Sequence, residues 1–539
     1  MSVSSSGMPH PGNQSRNIRT ALDMWKEGRV RLLHSIEHYR ATCHTLDAAC
    51  RAGLGQPADL DDLENALATI GSELGPLETY EDMLRKERMR LATTRNTSGA
   101  LVRINLLPPE VLTHVFKLSN TCYIEGMGAR LCEIASVCTR WRWIALSMPE
   151  LWTHIDIGLG VPDEITQLFL RNSRNSPIYI HLDEEIYDLC GGYGDSVNGY
   201  RPTPRDVVQT LMPHIHRVHT LDMTVNTPEF AMAVAQAWLD FGNPGLSNEL
   251  SIHLAREGNP MTIIDSEKNG LRYEHPENAL RVLRSVRVLD LYYARFSWDS
   301  PAYQQLTNLR ISGRERAVVV KAPELFGILS SSPSLEVLNL EGINVLQIRE
   351  WTQPIPITFN HLRTLWISGH TSGSVAILFS MMTITCECAA RIKTLDINHG
   401  GVAEFFSRSQ VARLALECNR DDTLSSVVSL LETLPHVPTI VLSGLHINAP
   451  PDQYQPKTHP SGRWPNMTLA RTTIDLEKLQ YIVSLLGVRN LHLENCNAED
   501  WCTETLERVR TSLIKACPGL ECSITHVSSA ARSAYMILF

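Results

Sequence analysis

The run His34-Ser35-Ile36-Glu37-His38 combines residue types that could carry out hydrolytic chemistry. Two histidines four residues apart share one face of a helix, and imidazole nitrogens are common zinc ligands. The intervening glutamate could activate a metal-bound water. The spacing therefore raises the hypothesis of a metal-dependent hydrolase that uses His34, Glu37 and His38. The alternative is a solvent-exposed helix face. The context favours this alternative, because the helix lies in a predicted hairpin ahead of any large core that could hold a substrate.

Other patterns that support catalysis are missing from the sequence. It has no phosphate-binding G-x-x-x-x-G-K-S/T loop, no G-x-S-x-G turn and no dinucleotide-binding glycine pattern. Cys386-Glu387-Cys388 and the pair Cys517 and Cys522 lack the paired spacing of a zinc site. We therefore expect a protein that is not an enzyme, with no catalytic residue, no cofactor and no metal.

The composition is that of a folded protein with several domains or one repeat array. Its 539 residues are 43% hydrophobic and 20% charged, with a net charge of −9 that argues against general nucleic-acid binding. The first twenty residues lack the apolar core of a secretory signal, and no apolar stretch reaches the roughly 18 residues of a membrane span. Thirteen cysteines are too sparse for a disulfide framework. We expect a cytoplasmic and/or nuclear protein with no nucleic-acid or membrane partner.

Two apolar stripes with heptad spacing lie before residue 95. The first is interrupted only at Arg29 and comprises Leu22, Trp25, Leu32, Ile36, Tyr39, Cys43, Leu46 and Cys50. The second comprises Leu60, Leu63, Leu67, Ile70, Leu74, Leu77 and Leu84. Glycines and a proline separate the stripes, and Gly75-Pro76 is expected to kink or divide the second helix. We predict disorder over 1–18 and a helical hairpin over 19–95, which either braces the next domain or forms an intermolecular coiled coil.

Beyond residue 165 one strand-like sequence pattern, L-x-x-L-x-L, recurs in nine windows. The windows are Val218-Leu221-Met223, Val286-Leu289-Leu291, Leu306-Leu309-Ile311, Leu335-Leu338-Leu340, Leu362-Leu365-Ile367, Ile392-Leu395-Ile397, Val411-Leu414-Leu416, Val437-Ile440-Leu442 and Val488-Leu491-Leu493. Three of them are followed at the expected distance by an inward-turning polar residue: Asn226, Asn419 and Cys496. Helices are expected between windows, at Ala322–Leu329, Val375–Met382, Thr423–Leu434 and Leu476–Leu486.

This periodicity predicts an α/β fold in which residues 165–530 form an irregular leucine-rich-repeat solenoid. The alternative is a set of unrelated strands in an ordinary α/β sheet. Additional strands are expected at Leu250-Ile252-Leu254 and near Leu469. Polar or aromatic strand positions that would face solvent, and could contact a bound protein, are Arg310, Asn339, Trp366, Asp396 and His492.

Between the hairpin and the repeats, residues 101–157 predict a small all-helical module. Pro108-Pro109 sets an extended entry to a helix with an apolar face, formed by Val111, Leu112, Val115 and Phe116. A second apolar helical pattern carries Leu131, Ile134, Ala135, Val137, Cys138, Trp141 and Ile144. The turn Met148-Pro149-Glu150-Leu151-Trp152 follows with a large aromatic anchor.

The order L-P-P-E-V-L-x-x-V-F, L-x-x-I-A-x-V-C-x-x-W-R-x-I-A and P-E-L-W in this module resembles an F-box. Together with the hairpin and the repeats, it is similar to the large F-box-like families of mushroom-forming fungi. The resemblance implies a three-helix module that docks on the Skp adaptor of a cullin–RING ubiquitin ligase. It would place the adaptor contact, and part of the module's core, at Leu107, Pro108, Val111, Leu112, Val115, Phe116, Val137, Cys138, Trp141 and Ile144.

The sequence departs from the F-box pattern in two places. Pro109 is an additional proline, and Asn120 to Arg130 replaces the usual short acidic turn. The resemblance implies a substrate-recruiting subunit whose repeats bind an unknown target protein. The alternative from another class is a non-catalytic repeat scaffold in which the module is only structural.

Overall fold

The computed structural model describes residues 11–53, 60–97, 103–119, 127–158, 161, 163–184, 203–254, 262–263, 273–313, 318–348, 355–369, 372–393, 400–418, 437–444, 466–472, 479–480, 483–484, 486–496, 510–515 and 517–525. The chain divides into two compact units, Met1–Leu107 and Pro108–Phe539. Among the described helices, none is both long and apolar enough to cross a membrane.

The first unit contains two long helices that contact one another, α1 (Pro11–Gly53) and α2 (Leu60–Thr97). A 3-10 turn at Arg103–Leu106 follows. Residues 11–18 are helical where disorder is predicted, because Pro11 suits the first helical position, which needs no N–H donor. Helix α2 runs through Pro76 without being divided, since a proline removes one backbone hydrogen bond while the adjacent turns keep theirs.

The second unit alternates helices and strands along the chain. Its helices are α3 (Pro109–Ser119), α4 (Met127–Val137), α5 (Thr139–Ser147), α6 (Asp163–Asn172), α7 (Pro204–Leu211), α8 (Pro228–Phe241), α9 (Pro276–Ser285), α10 (Ala322–Ser330), α11 (Ser372–Ser380) and α12 (Gly400–Arg408). Short 3-10 turns lie at Pro149–Trp152, Met212–Arg217 and Pro301–Tyr303. The predicted helices at Ala322–Leu329 and Val375–Met382 correspond to α10 and α11. Those predicted at Thr423–Leu434 and, for the most part, Leu476–Leu486 lie outside the described residues.

The strands of the second unit are short, mostly five or six residues. They are β1 (His154–Gly158), β2 (Ile178–Asp183), β3 (Val218–Val225), β4 (Glu249–Leu254), β5 (Thr262–Ile263), β6 (Val288–Tyr292), β7 (Ala294–Arg295), β8 (Asn308–Ser312), β9 (Val318–Lys321), β10 (Val337–Leu346), β11 (Ile357–Phe359), β12 (Thr364–Gly369), β13 (Met382–Ile384), β14 (Cys388–Lys393), β15 (Val411–Glu417), β16 (Thr439–Ser443), β17 (Asn466–Ala470), β18 (Asn490–Glu494) and β19 (Glu521–Thr525).

One parallel sheet, which is not closed, organises the second unit. Its path follows the chain as β1-β2-β3-β4-β6-β8-β10-β12-β14-β15-β16-β17-β18-β19, and β9 adds to β10. Parallel neighbours require a crossover connection. Several of the described connections contain a helix, such as α6 between β1 and β2 and α10 between β8 and β10. The pairs β5–β7 and β11–β13 form two small separate parallel ladders.

Two ladders of apolar side chains form the core along this sheet. In the first, Leu309, Leu338 and Leu365 occupy the same register position on successive strands, and each is 0% exposed. The second ladder lies two residues further along each strand, where the aligned side chains are Ile311, Leu340 and Ile367. Because strand side chains alternate between faces, the residues between these positions lie on the opposite face of the sheet.

Arginines from later segments bind the carbonyl groups at the ends of two helices. Arg217, which is 3% exposed, donates to Leu170 O at 2.8 Å near the end of α6, and to Ser176 O at 3.0 Å. Arg408 donates to Phe379 O at 2.7 Å and to Ser380 O at 3.2 Å at the end of α11. Leu170, Phe379 and Ser380 belong to the last turns of α6 and α11, where carbonyls lack a donor within the helix, and a cation suits that negative end of the dipole.

Eight of the nine strand windows correspond to strands of the sheet, and one was placed wrongly. Strand β14 aligns Ala390 and Ile392 with Leu365 and Ile367, five residues before the core positions predicted in the window Ile392-Leu395-Ile397. Leu395 and Ile397 lie outside the described residues. The small Ala390 fills a position that elsewhere holds a large aliphatic residue, which weakens the sequence signal. The windows also missed β1, β2 and β19, whereas the strands suggested at Leu250-Ile252-Leu254 and near Leu469 are β4 and β17.

Replacing Arg217 by alanine should destabilise the second unit. The change removes the Arg217 hydrogen bonds to the carbonyls of Leu170 and Ser176, leaves Leu170 O with only the Ser173 hydroxyl as a donor, and opens a buried space. We expect a loss of about 3 kcal/mol in the free energy of unfolding. Urea unfolding of the full chain measures the change. Arg171→Ala, at an exposed position of α6, is the control and should cost less than about 0.5 kcal/mol. Equal effects of the two substitutions would contradict this role of Arg217.

Candidate functional site

Helix α3 opens the module and turns one apolar face inward. Pro109 occupies the first helical position, and Leu112 N donates to Pro108 O at 3.1 Å, so the additional proline is accommodated at the helix start. Leu112 and Phe116 are four residues apart and are 0% and 1% exposed. The helix thus contributes its i, i+4 face to the core.

Helices α4 and α5 pack against one another and against α3. Cys138 stands between them as the N-cap of α5, where its thiol accepts from Trp141 N at 3.5 Å. The Trp141 ring lies 5.1 Å from the Phe116 ring at a tilted angle of 54°. Ile144 and Ala145 complete the buried face of α5. The helix junction is therefore stabilised by a cysteine cap and an aromatic pair.

Trp152 connects the module to the first elements of the sheet. Its indole Nε1 donates to Ala145 O at 2.7 Å, and its ring meets Phe169 of α6 edge-on at 4.9 Å. Two residues later β1 begins and pairs with β2. The module and the sheet consequently share one core within the second unit.

The residues predicted to contact an adaptor divide into three groups by exposure. Leu112, Phe116 and Ile144 are fully buried, which makes them core in this structure. Half-buried positions are Leu107, Val115, Cys138 and Trp141. Exposed positions are Pro108, Val111 and Val137, with Val111 at 44% and Val137 at 58%. A partner would therefore meet the last group directly.

Three further apolar side chains on α3 and α5 are exposed and were missed in the sequence. Leu118 lies seven residues after Val111 on the same face of α3 and is 60% exposed. Trp143 and Leu146 lie on α5 at 65% and 40% exposure. Trp143 could have been found from the sequence, because it falls off the helical face that carries Trp141 and Ile144. Exposed aromatic and apolar side chains of this kind are typical of a protein-binding surface.

The solvent face of the sheet carries the other candidate residues. Arg310, Asn339, Trp366 and Arg391 stand side by side in register on four neighbouring strands. The Arg391 guanidinium lies 4.1 Å from the centre of the Trp366 ring and pairs with Glu417. Asn339 Oδ1 and Trp366 Nε1 are buried without a hydrogen-bond partner in the described part of the chain. His492 bonds Ser523 at 2.8 Å on β18 and β19, and Asp396 lies outside the described residues.

Ion pairs between strands cover the same face nearer β1. His181 Nδ1 lies 3.0 Å from Asp222 Oδ2, and His253 Nε2 lies 3.4 Å from Asp290, which also pairs with Arg310 at 3.5 Å. The hydrogen bond with Asp222 raises the pKa of His181, although burial acts in the opposite direction. Burial acts to raise the pKa of Asp222, but the bond to His181 and the charges of both histidines outweigh it, so that pKa is lowered.

The polar position predicted to turn inward after the strand window at Val488 is buried at Cys496. Its thiol is 4% exposed and donates to Leu469 O of the preceding strand at 3.1 Å. At Asn226 the side-chain oxygen is buried and has no hydrogen-bond partner among the residues that the structure describes, and the backbone N–H donates to Glu184. Asn419 lies outside the described residues.

His34, Glu37 and His38 are exposed on α1. Within the described ranges, no three or more His, Cys, Asp and Glu side chains are grouped so that they could hold a metal ion. The buried thiol of Cys388 has its pKa raised by burial to about 12, so it is a thiol and not a thiolate near neutral pH.

The comparison with protein families falls on the helical module and β1. Residues 104–158 match the F-box-like family model. F-box domains generally bind Skp-type adaptors and are typically non-catalytic. No curated protein matches the chain.

The pair of His181 and Asp222 predicts a pH-dependent effect of Asp222→Asn. Because the pKa of folded His181 lies above its ordinary value of 6.5, the pair stabilises the fold fully below that pH and loses its effect as the pH rises through the folded pKa. Both side chains are partly exposed, so solvent screening limits the difference to about 0.5 kcal/mol.

Urea unfolding of wild type and Asp222→Asn at about pH 6 and about pH 9 tests this prediction. The difference between the two proteins should be larger at the lower pH. In a His181→Gln background the same substitution should show a much weaker pH dependence. A difference that grows with pH would contradict the assigned direction.

Proposed function

We propose that this chain is a substrate-recruiting subunit of a Skp–cullin–F-box type ubiquitin ligase. The observation that carries the proposal is the F-box-like match at residues 104–158. The exposed apolar residues of that module, with Val111 and Leu118 on one helix and Trp143 and Leu146 on another, support it as an adaptor-docking surface.

The sheet of the second unit would hold the target protein. Aliphatic side chains are buried at every second position of its strands and align from strand to strand. This register suits the irregular leucine-rich-type solenoid expected from the sequence. The solvent face around Arg310, Trp366 and Arg391 offers the aromatic and arginine side chains that dominate many protein interfaces. The subunit would act by proximity, because it raises the effective concentration of target lysines near the ligase. Such a subunit would work in the cytoplasm or nucleus.

A second role is favoured by the packing of Trp152. Trp152 joins the helices to α6 and β1 in one core. In this second function the module would serve only as the cap of the sheet. In that case the chain would be a repeat scaffold without a ligase, and the exposed apolar residues of α3 and α5 would have no adaptor to bind.

Binding of the purified full chain to a purified Skp adaptor separates these functions. The variant Val111→Asp with Val137→Asp places charges at two exposed positions of the predicted contact and should weaken adaptor binding by at least about tenfold. Trp141 is less suitable for substitution, because its contact with Phe116 makes it part of the core. Calorimetry or a pull-down measures the affinity.

The matched control is Leu280→Asp with Val319→Asp, outside the family match. These side chains are 43% and 47% exposed, close to Val111. The control should bind the adaptor like wild type, and circular dichroism should show that both double variants remain folded. If wild type itself does not bind at micromolar concentration, the ligase proposal fails and the scaffold function remains.

A further inference from the structure

The heptad stripes of the first unit remain half exposed although α1 and α2 contact one another. On α1 the exposed fractions run from 42% to 49% for Leu22, Trp25, Leu32, Ile36, Tyr39 and Leu46. On α2 they run from 46% to 56% for Leu67, Leu74, Leu84 and Leu91. At about 1.5 Å per residue, the stripe from Leu22 to Leu46 extends about 36 Å. An apolar surface of this length calls for a further partner.

The two stripes match one another as an antiparallel pair. Positions equally distant from the middle of the connection, such as Ile36 with Leu77 or Cys43 with Ile70, are both heptad positions. The structure agrees with this alignment, because the pKa of Tyr39 on α1 is raised, chiefly by Cys43 one turn away but also by the charge of Glu73 on α2. The same stripes therefore both join the helices and remain open on their outer side.

Charge divides the hairpin into two opposite ends. The connection end, residues 29–53 and 60–84, carries nine acidic and four basic side chains, a net charge of −5. The open end, residues 16–28 and 85–97, carries eight basic and three acidic side chains, a net charge of +5. The ion pairs within the helices, such as Arg31 with Glu27, join residues three or four apart and do not change this division.

We propose that two copies of this chain associate through α1 and α2 as an antiparallel four-helix bundle. In this arrangement the acidic end of one hairpin lies beside the basic end of the other, while the apolar stripes meet in the middle. A parallel pair would place like charges together at both ends. The charge pattern and the heptad spacing of a second copy therefore both fit this surface. A two-fold axis gives both copies the same contacts.

The mass of the full-length protein in solution tests the association. Light scattering or sedimentation at micromolar concentration should give twice the mass of one chain. Leu32→Asp with Leu46→Asp, on the stripe, should raise the dissociation constant by more than about tenfold. The control is Met24→Asp with Val30→Asp, which are 69% and 49% exposed but lie off the stripe, and it should remain dimeric.

A zero-length carbodiimide cross-linker tests the orientation. The lysines of residues 1–107 are Lys26 and Lys86, both at the open end. Within one hairpin Lys86 is about 36 Å from Asp62 along α2, so a cross-link between them must join two copies. Mixing isotope-labelled and unlabelled protein before the reaction identifies such links by mass.

Links from Lys26 or Lys86 to Asp61, Asp62 or Glu64 of the other copy are the expected result. A monomeric wild type would overturn the proposal, as would equal dimerisation of the stripe variant and its control. A dimer whose lysines react only with carboxylates of the open end, such as Asp23 and Glu87, would also overturn it. Circular dichroism should show unchanged helix content in the variants, so that loss of the dimer is not loss of the helices. Adaptor binding is not involved in any of these measurements.

Discussion

Register along the sheet is the constraint on which the second unit depends. Leu309, Leu338 and Leu365 lie on neighbouring strands at one level, and Ile311, Leu340 and Ile367 lie at the next. A shift of one residue in any strand would turn its aliphatic side chains to solvent and its polar ones into the core. The same alternation therefore fixes which residues face the helices and which, such as Arg310 and Trp366, are available on the other face.

The helical module depends on the same core. Trp152 donates to the backbone of α5 and packs on α6, and β1 follows directly, so the module and the first strands stabilise one another. This arrangement separates two kinds of apolar residue within one motif. Leu112, Phe116 and Ile144 hold the helices together, whereas Val111, Val137 and Trp143 are exposed. The sequence motif alone does not distinguish core positions from exposed positions, because both hold an apolar side chain.

Much of the strand arrangement could be predicted from the sequence, because a large aliphatic residue at two alternating positions is a local signal. Eight windows of this spelling correspond to strands, and the one that failed has Ala390 at a core position. Exposure in the module could not be predicted in the same way. It depends on which helix face meets Trp141 and Trp152, and that is decided by contacts between residues distant in sequence. Cross-strand pairs such as His181 with Asp222, 41 residues apart, were missed for the same reason.

Pairs of opposite charge lie along the solvent face of the sheet. His181 pairs with Asp222, Asp290 with both His253 and Arg310, and Arg391 with Glu417. Such pairs order long side chains in the unbound protein. Binding of a partner therefore loses less side-chain conformational entropy. They also reduce general electrostatic attraction, which makes recognition depend on the positions of individual groups. Trp366 lies under the Arg391 guanidinium and beside the small Ala389 on the neighbouring strand, so the contact with Arg391 orders the ring on this face.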